Sequence, residues 1–230
     1  MKTTALIALC LASVLGAGSV AAAEQENAPR QLALRYSMTV DATGKATSLT
    51  PLATLPEEVD RWIRQRVDEY TFEPAKVNGI AQSATTTLYL SLGPASGANA
   101  TTGYRINSLF TGPRLVKGRY ETYPRTAGAG YFIMNYDASG KVVRAELDKT
   151  QASVGDVTFR RWGMALARSF RLEPETVAGL GIPSRAMIQI VTCIDDTCPV
   201  LPPPRPENGA NLDGELVAES VLKALPPSGS

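Results

Sequence analysis

The side chains able to do chemistry in this chain are few, and their spacing says more than their identity. Histidine is absent from all 230 residues, which removes the commonest general base and metal ligand. Of three cysteines, Cys10 lies in the apolar N-terminal stretch, and Cys193 and Cys198 stand close together near the other end. C-x₄-C lacks the tight spacing of a catalytic dithiol. In an oxidising compartment such a pair reads as a structural disulfide rather than a redox or metal site. Glu73 and Glu173 each precede a proline and invite a reading as paired acid–base carboxylates, but they lie in separate parts of the chain, so a surface or turn role is favoured. Trp62 and Trp162 suggest an aromatic cage; their place on an apolar helical stripe favours core packing. Arg61, Arg64 and Arg66, with Arg160 and Arg161, read as solvated helix faces rather than a phosphate site. No Gly-x-Ser-x-Gly elbow, Walker loop, dinucleotide fingerprint or metal-ligand spacing is present, and a Ser–His–Asp triad cannot be built without histidine. The expectation is a non-enzyme with no cofactor, no metal and no small-molecule substrate.

These residues recur. FEPAKVNG at 72–79 returns as LEPETVAG at 172–179, and Arg61-Trp62 returns as Arg161-Trp162, both at an offset of 100. DATG at 41–44 returns as DASG at 137–140, at an offset of 96. Three landmarks in the same order indicate a duplication, in which Trp62, Pro74 and Gly79 answer Trp162, Pro174 and Gly179 as structural positions.

Composition agrees with a globular exported protein. The chain is 44% hydrophobic and 20% charged, an ordinary globular mix. Residues 1–23 carry Lys2, an apolar run from Ala5 to Val20, and Ala21-Ala22-Ala23 before Glu24. That is the pattern of a secretory signal peptide cleaved near Ala23; the alternative is an inner-membrane anchor over residues 5–23. Without residues 1–23 the charges balance at 22 basic and 22 acidic, so nothing draws the chain to nucleic acid or anionic lipid.

Hydrophobic spacing sets the elements. Strict alternation over 32–40 predicts a half-buried strand, followed by a turn at 41–45 and a return strand over 46–53. Helices are expected over 56–70 and 156–170, the first with Thr54 and Glu57 at capping-box spacing, and Trp62 and Trp162 in equivalent buried sites. Strands follow at 84–92, 131–136, 142–147 and 184–192. The segment 104–118 reads as a short strand or extended connector, 199–206 as an extended Pro-rich tail, and 212–225 as a short amphipathic helix. The fold class is therefore α+β: two tandem β-β-α-β units, each a small antiparallel sheet packed on one helix. The divisions are signal peptide 1–23, first unit 24–97, connector 98–119, second unit 120–198 and tail 199–230.

The succession of strand, Asp-x-x-Gly turn, strand, helix, Phe-x-Pro-Ala-x-x-x-Gly and strand resembles the TonB C-terminal domain family. The residues that carry it are Val40 to Gly44 and Tyr70 to Gly79 in the first unit. In the second they are Tyr123-Pro124-Arg125-Thr126-Ala127, Tyr136 to Gly140, and Phe170 to Pro174 with Gly179. The resemblance implies a periplasmic domain that takes up an extended segment of an outer-membrane transporter by strand addition. The chain departs from the full energy transducer in having no long Pro-rich spacer ahead of the first unit, no histidine for a membrane-embedded role, and no clear retained anchor.

Two functions follow as expectations. In the first, the closing strands 85–92 and 185–191 offer an edge to a segment of an outer-membrane transporter or another envelope protein, with Thr85, Thr87, Tyr89, Arg185, Met187 and Gln189 lining it. In the second, the units bury their edges on each other and the outer faces contact peptidoglycan or another envelope component.

Overall fold

A computed structural model describes residues 32–95, 103–116, 124–194, 197–204, 210–211, 216–225 and 227. The expected signal segment 1–23 lies outside them, as does the turn that Asp195-Asp196 is expected to form before Cys198. The described chain is mixed and strand-rich, with two helices and antiparallel sheets.

β1 (Leu32–Val40) turns Leu34, Tyr36, Met38 and Val40 inward and pairs with β2 (Ala46–Pro51). The intervening turn is built by Asp41, whose carboxylate accepts from the Thr43 amide at 2.8 Å, the Thr43 hydroxyl at 2.6 Å and the Lys45 amide at 3.1 Å. Gly44 sits at φ +83°, where an added Cβ would run into the Phe72 carbonyl. The Gly44 carbonyl accepts from the Phe72 amide at 2.9 Å. The Asp-x-x-Gly turn is thus the clamp that receives the strand of the FEP motif. α1 (Glu57–Val67) presents Ile63 and Val67 to the core. Its N-cap is Pro56 with no side-chain cap bond, which corrects the expected Thr54/Glu57 capping box. Tyr36 donates to Asp60 at 3.0 Å and so ties α1 to β1.

After α1 come β3 (Thr71–Glu73), β4 (Lys76–Val77), β5 (Ile80–Ala81) and β6 (Ala84–Pro94). β4 and β5 form a hairpin whose turn residues Asn78 and Gly79 both have positive φ, the twist that suits a two-residue hairpin. The segment expected as a connector then supplies β7 (Tyr104–Gly112), paired along β6, and β8 (Arg114–Val116). β7 escapes the alternation rule because its register shifts between Ser91 and Leu92, leaving Asn107 as an extra residue.

The elements recur in the same order: β9 (Gly128–Tyr136), β10 (Val142–Leu147), α2 (Val157–Ser169), β11 (Arg171–Glu173), β12 (Thr176–Val177), β13 (Leu180–Gly181) and β14 (Ser184–Thr192). Asp137 repeats the turn, accepting from the Ser139 amide, the Ser139 hydroxyl and the Lys141 amide. Gly140 (φ +78°) clamps Leu172 as Gly44 clamps Phe72. α2 is capped by Asp156, which accepts from the Phe159 amide at 2.8 Å. The tail forms β15 (Ala210–Asn211), β16 (Leu216–Ala218) and β17 (Lys223–Leu225), correcting the helix expected over 212–225. The polar and proline-flanked run hides strands of three residues, too short to show a period.

The two sheets run β2-β1-β6 with β7 and the β12–β13 hairpin on the far side of β6, and β10-β9-β14-β16-β15. Cross-pairing links them. β8 joins β11, and β17 returns to β3. The cores are shared accordingly: Val177 and Leu222 enter the core under β1 and α1, while Tyr89 enters the core under β9 and α2. A third cluster, with Tyr131, Met187 and Leu201, fills the other face of the second sheet. There the proline-rich segment folds back, and Tyr131 donates to the Pro202 carbonyl at 2.7 Å.

Candidate functional site

Of the closing strands that sequence reasoning offered as free edges, β6 is paired on both sides along most of its length and β14 on both sides only along Ala186–Ile188. β6 has β1 on one side and, on the other, β7 over Thr87–Pro94 and β12 at Thr85 and Ala84. Thr87 and Tyr89 are buried, and Tyr89 donates to the Pro113 carbonyl at 2.7 Å. Thr85 faces Thr176, with its hydroxyl 3.3 Å from that of Thr39. β14 has β9 on one side and β16 along Ala186, Met187 and Ile188 on the other. Met187 is buried and its sulfur accepts from Gln151 at 3.3 Å; Arg185 is exposed and Gln189 half-buried. The candidate edge is corrected at Thr85, Thr87, Tyr89 and Met187 on physical grounds, whereas Arg185 and Gln189 lie just outside the residues that β16 pairs. Segments remote in sequence supply the neighbouring strands, and long-range pairing leaves no local period.

Trp62 and Trp162 occupy equivalent places, but both are half-buried rather than core. The buried helix positions are one residue later, Ile63 with Val67, and Gly163 with Ala167. The Arg66 guanidinium lies 5.8 Å from the Trp62 ring. Glu73 and Glu173 are exposed, the latter paired with Arg114. Pro74 and Pro174 open the hairpins that Gly79 and Gly179 turn. Cys193 and Cys198 are disulfide-bonded with a Cα separation of 4.4 Å.

Sequence reasoning missed Glu175. The residue is 3% exposed, and its carboxylate accepts from the Thr86 hydroxyl at 2.6 Å, the Ser220 hydroxyl at 2.6 Å and the Val221 amide at 2.9 Å. Burial pushes its carboxyl above the usual range, and the three hydrogen bonds oppose that shift. Thr111 extends the junction, donating to the Leu222 carbonyl at 2.7 Å and lying 2.9 Å from the Ser220 hydroxyl. One polar bolt thus ties β6, the second FEP-type motif and the tail. The signal was available in the repeat: position 75 is alanine and position 175 glutamate. The loop that receives it is also asymmetric, with four residues between β16 and β17 where one, Pro113, separates β7 from β8.

Along the first sheet the outer sides of β2, β13 and β7 carry no strand among the described residues, and β7 is the longest of the three. β7 is hydrogen-bonded to β6 on one side and has no strand on the other; its sequence YRINSLFTG contains neither proline nor acid, and Tyr104 and Phe110 are exposed. At the opposite edge, β1 outruns β2, and a cleft opens beside Leu34, Leu52, Leu55, Arg35 and Arg114. No cluster of three or more potential metal ligands occurs among the described residues, and no described helix is long and apolar enough to cross a membrane. The chain matches no family model, no curated protein and no solved structure in the comparisons made.

Proposed function

We propose that the chain is an exported, non-enzymatic protein-binding module made of two tandem β-β-α-β units of the TonB C-terminal type. It takes an extended segment of an outer-membrane transport protein, or of another envelope protein, by strand addition along the outer edge of β7. The observation that carries this reading is the nine-residue length of β7 with one side unpaired among the described residues. An unpaired strand presents a row of backbone donors and acceptors, which give affinity, while alternate side chains give selectivity. The Cys193–Cys198 disulfide supports an oxidising compartment, here the periplasm. Neither cofactor nor nucleic acid has a part in this function.

The test is capture of extended peptides drawn from the periplasm-facing segments of outer-membrane transporters. Lysines at Ser108 and Phe110 blunt the edge in the way natural edge strands are protected. The double variant is expected to bind at least about tenfold more weakly, with denaturant unfolding unchanged. Undiminished capture by the folded variant moves the site off β7.

A second reading, a structural envelope protein contacting peptidoglycan, is favoured by one observation: the chain fills its own closing strands. Sedimentation with purified peptidoglycan sacculi in place of transporter peptides distinguishes the two.

A further inference from the structure

The two helices hold corresponding places in the recurring order of elements, yet they carry opposite charge. Residues 57–69, α1 and the two that follow it, contain three arginines and five acids. Each arginine is ion-paired: Arg61 with Glu57 at 2.7 Å, Arg64 with Asp60 at 2.8 Å and Arg66 with Glu69 at 2.8 Å. At the offset of 100 every acid is gone. Val157, Thr158, Arg160, Arg168 and Ser169 answer Glu57, Glu58, Asp60, Asp68 and Glu69. α2 keeps Arg161 and adds Arg160 and Arg168, and all three are exposed. None of them forms an ion pair among the described residues. Arg160 donates to the Gly155 carbonyl at 3.4 Å, and Asp156 is committed to the helix cap. The charge balance of the whole chain therefore hides a local excess of three cations on one helix.

Helix stability does not account for these cations. The positive end of the helix dipole disfavours them in the first turn, where α1 carries Glu57, Glu58 and Asp60. α2 has no acid in its first turn and places Arg160 there. On a helical projection Val157, Arg160, Arg161, Met164 and Arg168 share an arc of about 100° and a length of about 17 Å, with Phe159, Gly163 and Ala167 on the buried side. Val157 is 67% exposed and Met164 half-buried. The arc thus sets apolar side chains among unpaired guanidiniums. Guanidinium forks match phosphate oxygens, and basic groups interspersed with apolar ones suit the boundary between headgroups and acyl chains. A soluble acidic segment meets the cations but offers no apolar phase to Val157.

We propose that the exposed face of α2 rests on the anionic surface of a membrane, with Arg160, Arg161 and Arg168 taking lipid phosphates and Val157 entering the headgroup layer. The surface uses no residue of β7 and goes beyond strand addition there.

Flotation of the full chain on vesicles of phosphatidylglycerol mixed with phosphatidylcholine is compared with flotation on phosphatidylcholine alone. The ratio of the two affinities is read, so a contribution of the apolar N-terminal stretch common to both cancels. A cation at an anionic surface contributes about fivefold, or roughly 1 kcal/mol. The ratio is therefore expected near about a hundredfold at low salt and to shrink as salt screens it. The triple variant Arg160→Gln, Arg161→Gln, Arg168→Gln is expected to bring the ratio close to unity, with denaturant unfolding unchanged because the three side chains are exposed. Arg61→Gln, at the ion-paired counterpart on α1, is expected to leave the ratio as it was. Val157→Ser is expected to weaken binding to the anionic vesicles about fivefold. Equal affinity for the two kinds of vesicle, a ratio that the folded triple variant retains, or indifference to Val157→Ser overturns the proposal. So does binding of soluble poly-glutamate as tight as that of the anionic vesicles, or release of the chain by glycerol phosphate at the concentration of the lipid.

Discussion

Glu175 decides more than its size suggests, because it is the point where three remote segments meet. Removing its carboxylate leaves the Thr86 and Ser220 hydroxyls and the Val221 amide without their acceptor. Glu175→Ala is expected to cost about 2–4 kcal/mol, as the loss of charged hydrogen bonds together with stranded buried donors does, measured by denaturant unfolding. Its pH dependence runs opposite to ordinary acid denaturation. A folded carboxyl raised above its unfolded value stabilises the fold fully below the unfolded value, and that contribution is lost as pH rises through the folded value. The stability of the natural chain relative to Glu175→Gln is therefore expected to fall as pH rises above the ordinary glutamate range, about pH 4. A flat difference as pH rises contradicts the assignment. Asp41 and Asp137 behave conventionally, each held below the usual carboxylate range chiefly by the hydroxyl of its turn, Thr43 or Ser139.

At the level of elements, the helices and outer hairpins were legible because their signals are local. Phe159 and Ala167 fall on one face of α2, and Asp-x-x-Gly fixes both turns. What was not legible is pairing. β7 is broken by Asn107 and ends at Gly112-Pro113, and β16 and β17 are short, so nothing in their spacing announces a partner. The same limit hid the closure of Thr85, Thr87 and Met187. The core of α2 shows how the halves diverge: Gly163 stands where α1 has Ile63, and an added Cβ would strike the ring of Phe132, which packs edge-on to Phe159 at 6.0 Å. Glycine to alanine inside a helix normally stabilises by roughly 0.5–1 kcal/mol. Here Gly163→Ala is expected to destabilise by about 1–3 kcal/mol through overpacking, a reversal of sign that thermal unfolding reads directly. The hairpins diverge too. Val177 is buried on β6, whereas its counterpart Val77 is 44% exposed. In the register of Thr176 opposite Thr85, Lys76 would face Arg185, a like-charge pair that disfavours docking.

The whole molecule is knit by exchange. Each closing strand is followed by an extension that first lines its own sheet and then crosses to the other half, β7 and β8 to β11, β16 and β17 to β3. A body built this way is expected to unfold in one transition. Single-tryptophan variants keeping Trp62 or Trp162 report on the two halves, and coincident denaturation midpoints are the expected result. The recurrence of FEPAKVNG as LEPETVAG was readable in the sequence; the exchange that ties the two segments was not, because it depends on pairings remote in sequence, 55 residues for Val116 with Arg171 and 154 for Thr71 with Leu225.

Hydrogen exchange on the full chain, free and with an extended transporter-derived peptide, tests the functional account most directly. The expected result is that amides of β6 are protected in both states, while alternate amides within Tyr104–Gly112, those directed away from β6, gain protection only when the peptide is bound. Loss of protection along β7, as though the peptide displaced it from β6, or bound-state protection confined to other segments, contradicts strand addition at this edge.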